Sequence, residues 1–202
     1  MVIGLLRGIV AMNLKALLVR PWLTLLLVVL VLITRTNYSS AIVDTPDISL
    51  AAFFIAGLWI PSALAFGLLF IAAALADQLS FMAGVSDWCF TPAYVFLVPT
   101  YACLWYAGYL CRNTDFFRIA GAAKVAVYFV LSVVAAYLIS SYSFYYFSGR
   151  LSPTTAQQYT QALMHYFWSP YFSWAAVYTA LALGIASVVR LVVANSAKST
   201  KH

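Results

Sequence analysis

The chain has 202 residues, of which 65% are hydrophobic and 8% charged, with a net charge of +6 and a mean hydropathy of +0.94. Soluble domains carry about 25% charged residues, so this composition excludes an ordinary soluble protein and points to a polytopic helical membrane protein. The positive balance is no nucleic-acid footprint, because in a membrane chain lysines and arginines first report orientation.

The start, MVIGLLRGIVAMNLKALLVR, has neither a compact basic region nor a small-residue cleavage site, so no removable signal peptide is read. Met12 is a second candidate start, and residues 1–16 are expected to form an N-terminal cytoplasmic segment. Apolar segments follow at about 17–34, 48–59, 61–77, 93–111, 119–141 and 168–193. The stretch from Ser49 to Ala76 reads as two spans, with Gly57 and Pro61 bracketing a break, since proline removes a backbone donor and disfavours helix just before it. The second span is short for a bilayer that takes roughly 20 residues to cross. It is expected to tilt, to extend into Ile42–Asp47, or to sit in locally thin membrane.

Charge placement favours six spans. Arg7, Lys15, Arg20, Arg112, Arg118, Lys124, Arg190, Lys198 and Lys201 then fall inside, and only Arg35 and Arg150 outside. Four of the five aspartates, Asp44, Asp47, Asp77 and Asp87, fall at the outer side. The expected fold is an all-α membrane protein with both termini cytoplasmic, one transmembrane domain over 17–194, and a disordered tail over 195–202. In the last outer connection, Ser152 and Pro153 suit a helix start. Ala156, Tyr159, Leu163 and Tyr166 then recur at helical spacing, as in an interfacial helix on lipid or a lid over an outward pocket.

Absences narrow the chemistry. There is no GxxxxGK[ST] phosphate loop and no GxSxG nucleophile elbow, and the two histidines lie in an outer loop and the tail. Cys103 and Cys111 read as packing residues of span four. Cys89 differs, lying in the outer island SDWCFTPAY. Cys103 is about 20 Å from it if the intervening chain is helical, and a disulfide tolerates Cα separations up to about 7 Å. An inert buried thiol and a single soft ligand for a metal that brings its other ligands both stay open. Tyr94, Tyr101 and Trp105 share one face of span four at i, i+7 and i+11, and Pro99 between them suggests a kink. Tyr101 should lie deep enough that its hydroxyl needs a partner.

The stretches DISLAAFFIAGLWIPSALAFGLLFIAAALAD and GVSDWCFTPAYVFLVPTYACLWYAGYL resemble the BtuM family of small bacterial cobalamin-specific S-components, relatives of the substrate-binding subunits of energy-coupling-factor (ECF) transporters. The similarity covers about residues 22 to 111, and its most specific element is CFTPAY with the upstream Asp77. It implies a six-helix S-component bundle in the bacterial inner membrane, with a cavity facing outward. Cys89 would be the axial thiolate on the corrin cobalt, with Asp77 and Tyr94 lining the site. Trp88, Phe90, Tyr101 and Arg150 complete the candidate binding set, Arg150 also as a possible partner of Asp77. Thiolate-assisted removal of a cobalt ligand such as cyanide is a corollary. Two features depart from the family: the first helix lacks an AxxxA seam, the small residues Ala72 and Ala76 lying on span three, and TRTNYSS carries Asn37 where a histidine is expected. The first departure favours solitary operation over docking on a shared ECF module. A membrane sensory or assembly module, or a carrier for another vitamin, are the alternative readings.

Overall fold

The computed structural model describes residues 21–37, 46–84, 91–150 and 155–199, and the described part is helical with no strand. Helices form over each of the six apolar segments. They are α1 (Pro21–Asn37), α2 (Ser49–Trp59), α3 (Ala63–Met82), α4 (Leu97–Cys111), α5 (Ile119–Phe147) and, after the amphipathic α6 (Ala156–Tyr166), α7 (Ser173–Ser199). A 3-10 turn, Pro92–Phe96, leads into α4, and a π segment, Phe167–Phe172, joins α6 to α7. Among the described residues, four stretches are long and apolar enough to cross a membrane: Ala63–Met82, Pro92–Cys111, Ile119–Phe147 and Ser173–Val192. The helices over Pro21–Thr36 and Ser49–Trp59 are shorter. The protein is a helical membrane protein.

The short helix α2 is the centre of the fold. Nine of its eleven residues are buried, which is what a helix apolar on every side requires. At about 16 Å it is a core helix. Of the three expected alternatives, extension of the helix upstream is not seen at Pro46, Asp47 and Ile48, which precede its first turn without being helical, and residues 42–45 lie outside the described residues. Its closest neighbour is α4. A Cβ on Gly57 would collide with the Trp105 carbonyl, and one on Gly108 with the Phe54 carbonyl, so the two backbones touch where both lack side chains. Gly57 is therefore a crossing point inside α2 rather than part of a break. Pro61 does interrupt the helix, between Trp59 and Ala63.

Phe53 stacks on Tyr101 with centroids 4.2 Å apart and meets Phe66 edge-on at 5.3 Å, while Phe54 packs against Phe129 at 5.2 Å. Ala72 and Ala76 are buried in this core. Leu25, Ile33, Ile71, Leu75, Leu181 and Ile185 point outward, as lipid-facing side chains do. Hydroxyls within the helices bond back one turn: Thr34 Oγ1 to Leu30 O at 2.8 Å, Thr100 Oγ1 to Phe96 O at 2.7 Å and Ser187 Oγ to Leu183 O at 2.8 Å.

Three boundaries differ from expectation. Helix α6 starts at Ala156, capped by Thr155 in a reciprocal box with Gln158, while Ser152 and Pro153 lie outside the described residues. Helix α7 continues to Ser199, so residues 195–199 are helical rather than tail. The irregularity expected at Pro99 lies just upstream of it, in the 3-10 turn, and Pro99 itself stands in the first turn of α4, where a helix needs no amide donor. Helix α6 is docked on α5: Tyr159 Oη donates to Ser141 O at 2.9 Å, Tyr137 Oη to Leu163 O at 2.6 Å, and Tyr142 shares a 2.9 Å hydrogen bond with Thr160. Of the expected apolar face, Tyr159 and Leu163 are half-buried and Ala156 and Tyr166 are exposed.

Candidate functional site: an arginine-centred network at one end of the bundle

The last turns of α1, the start of α2, the last turns of α3 and the start of α4 converge at one end of the molecule, and Arg35 stands where they meet. Its Nε and Nη2 donate to the two carboxylate oxygens of Asp77, the second bond at 2.8 Å, in the bidentate geometry that suits a planar guanidinium. Its Nη1 donates to Asp47 Oδ2 at 2.8 Å and to Tyr101 Oη at 2.9 Å, and lies 3.4 Å from Ser49 Oγ. Tyr94 Oη donates to Asp77 Oδ2 at 2.8 Å.

Each member is held by its own element. Asp47 Oδ1 accepts the Ser49 amide at 2.8 Å and the Ser49 hydroxyl at 2.6 Å, satisfying a donor at the start of α2 and putting negative charge at a helix N-terminus. The segment before α2 is pinned from two sides: the Ile48 amide donates to Thr34 Oγ1 at 3.3 Å, and Tyr178 Oη of α7 donates to Pro46 O at 2.9 Å. Tyr94 sits in the 3-10 turn opened by Pro92, whose fixed φ suits a first helical position. Tyr101 is buried in the second turn of α4, its ring on Phe53 and its hydroxyl on Arg35.

Of the expected site residues, the structure brings Asp77, Tyr94 and Tyr101 together. Asp77 takes its cation from Arg35, 42 residues upstream, rather than from Arg150. Arg150 follows α5, and its amide donates to Ser148 Oγ at 3.2 Å. Trp88, Cys89 and Phe90 lie outside the described residues. Trp105 takes no part in the network; it packs on Phe66 and Tyr109, and its buried Nε1 has no partner among the described residues. Cys103 and Cys111 sit inside α4 as packing residues, Cys103 Sγ donating to Thr100 O at 3.0 Å.

No family model matches the chain, and no curated protein does. The described residues contain no cluster of three histidine, cysteine or carboxylate side chains able to hold a metal ion by themselves. Sequence reasoning missed Arg35, Asp47 and Ser49 as site residues. One signal was readable: a cation at the end of an apolar helix demands a counter-charge.

At the opposite end, the turn between α4 and α5 is organised by Asp115, which pairs with Arg118 at 3.5 Å and Arg190 at 3.2 Å. Arg190 also lies over the Phe117 ring at 4.0 Å, and Arg112 over Tyr109 at 3.8 Å. These are exposed pairs, worth about 0–1 kcal/mol each.

Proposed function

We propose that the chain binds cobalamin and carries it across the bacterial inner membrane, with Cys89 supplying an axial thiolate to the cobalt. The observation that supports this most is the Asp77–Tyr94 hydrogen bond. These two residues bracket Cys89 in sequence, stand on different elements, and are the pair the BtuM resemblance assigns to the site. Bonded to each other at 2.8 Å, they join the helix that precedes Cys89 in the chain to the turn that follows it.

A corrin supplies four cobalt ligands, so a single thiolate is enough to add an axial bond. Cobalt is a Lewis acid and favours the deprotonated thiol, so binding and thiol ionisation reinforce one another. In ligand exchange the sulfur gives an electron pair to cobalt, and cyanide leaves with its own pair, with no change of oxidation state. Asp77, Tyr94 and Tyr101 suit the amide rim of the ring, Trp88 and Phe90 suit its apolar faces, and Arg150 stands in the candidate set as a cation. Burial of Ala72 and Ala76 inside the fold leaves that seam unavailable for docking, which supports solitary operation over use of an ECF module.

The test is optical. Protein purified from cells fed cobalamin is expected to carry corrin absorption, and Cys89→Ala to shift that spectrum or lose the ligand. A colourless wild-type protein would sink the reading. Corrin retained with an unshifted spectrum in Cys89→Ala would remove only the thiolate bond.

A further inference from the structure

At the end of the bundle away from Arg35, two arginines share one carboxylate. Asp115 Oδ1 accepts Arg190 Nη1 at 3.2 Å and the Phe117 amide at 3.3 Å, and its Oδ2 lies 3.5 Å from Arg118 Nε. The trio is left with one positive charge uncompensated. Arg112 and Lys124 add to it, since they lie over the Tyr109 and Tyr128 rings and meet no carboxylate among the described residues. A guanidinium presents five N–H donors in a planar fork. Of the two forks, only one N–H of Arg190 is spent on a described residue, and the Arg118 and Arg190 side chains are 84% and 57% exposed.

A second observation comes from what surrounds the pair. Ile119, next to Arg118, is 91% exposed, and Val189 and Leu191, on either side of Arg190, are also exposed. The membrane-long stretch of α5 starts at Ile119 and that of α7 ends at Val192, so both arginines stand where an apolar surface gives way to a charged one. Phe117 lies under the Arg190 guanidinium at 4.0 Å and holds its plane. The geometry points to a binding site for one anionic phospholipid, its phosphate taken by Arg118 and Arg190 together and its acyl chains lying against exposed side chains such as Ile119 and Leu191. Guanidinium forks match phosphate oxygens in a two-pronged way, and an anionic headgroup supplies the charge that Asp115 alone does not. Asp115 draws the turn between α4 and α5 onto α7, so that both cations serve one phosphate. A water-borne phosphate ester needs only the cations, whereas the apolar side chains beside both of them suit a lipid. The site is independent of what the opposite end binds.

The experiment titrates the full chain, in an uncharged detergent, with phosphatidylglycerol and separately with phosphatidylcholine, and counts retained lipids by native mass spectrometry. Phosphatidylglycerol is expected to stay bound at concentrations where phosphatidylcholine does not, and equal retention of the two would overturn the site. Arg118→Gln breaks no hydrogen bond among the described residues, so the fold should survive it. It is expected to weaken phosphatidylglycerol retention about fivefold, the worth of one cation near an anionic lipid surface. Arg112→Gln removes the same charge outside the pair and should leave retention nearly unchanged. Equal losses in the two variants would mean diffuse attraction and overturn the site, as would full retention in Arg118→Gln. Glycerol 1-phosphate, which carries the phosphate without acyl chains, should not displace the lipid. Displacement at concentrations matching the lipid would assign the pair to soluble phosphate esters and overturn the lipid as its occupant.

Discussion

At the end of an apolar helix an arginine must reach counter-charges or water, and Arg35 reaches two carboxylates and a tyrosine hydroxyl. The bonds run between residues that the chain keeps far apart, so they staple α1, α2, α3 and α4 together. Replacing Arg35 by Met leaves Asp77 and Asp47 facing each other in a half-buried setting. We expect a loss on the order of 2–3 kcal/mol, the scale of hydrogen bonds to charged groups. The partial exposure of the pair keeps this below the cost of breaking a fully buried one. A double-mutant cycle with Asp77→Asn, read by SDS-induced unfolding in mixed micelles, should show a coupling energy well above its error. Additive single effects would mean that the pair contributes nothing. At this scale the sequence exposed Asp77, Tyr94 and Tyr101 through their neighbours and spacing. Their common partner was hidden, because nothing local links position 35 to position 77.

Among the elements, α2 and α4 set the framework on which the network sits. Their backbones approach at Gly57 and Gly108, and each glycine faces a carbonyl of the other helix. Gly57→Ala and Gly108→Ala should each cost about 1–3 kcal/mol through overpacking. Gly184→Ala on α7, where an added Cβ meets nothing within 4 Å, should be neutral or slightly stabilising in the same unfolding assay. Equal tolerance at all three positions would contradict the close crossing. The interruption at Pro61 was legible because proline acts locally. The role of Gly57 was not, since a glycine in an apolar run looks the same whether it breaks a helix or admits another one. The cap of α6 was readable in T-x-x-Q, a stronger local signal than the Ser-Pro three residues earlier, because each partner satisfies the other's free backbone donor.

Taken whole, the molecule is charged unevenly along its axis. The end bearing Arg112, Arg118, Lys124 and Arg190 is basic, with Asp115 as its one carboxylate among the described residues, whereas at the other end Asp47 and Asp77 are balanced by Arg35 and Arg150. The positive-inside rule predicts that the basic end faces inward. In a background with the native cysteines replaced, Gln157→Cys should react with a membrane-impermeant maleimide on intact spheroplasts. Asn113→Cys should react only after permeabilisation, and the reverse pattern would invert the orientation. Composition alone determined that this is a helical membrane protein, where its apolar segments lie and which end is basic, because hydropathy and charge are sums over nearby residues. Only the tertiary structure decided that α2 is a buried core helix, that Gly57 and Gly108 are crossing points, and that Arg35 joins Asp47, Asp77 and Tyr101. Those outcomes depend on which distant surfaces meet, and no local stretch of chain carries that information.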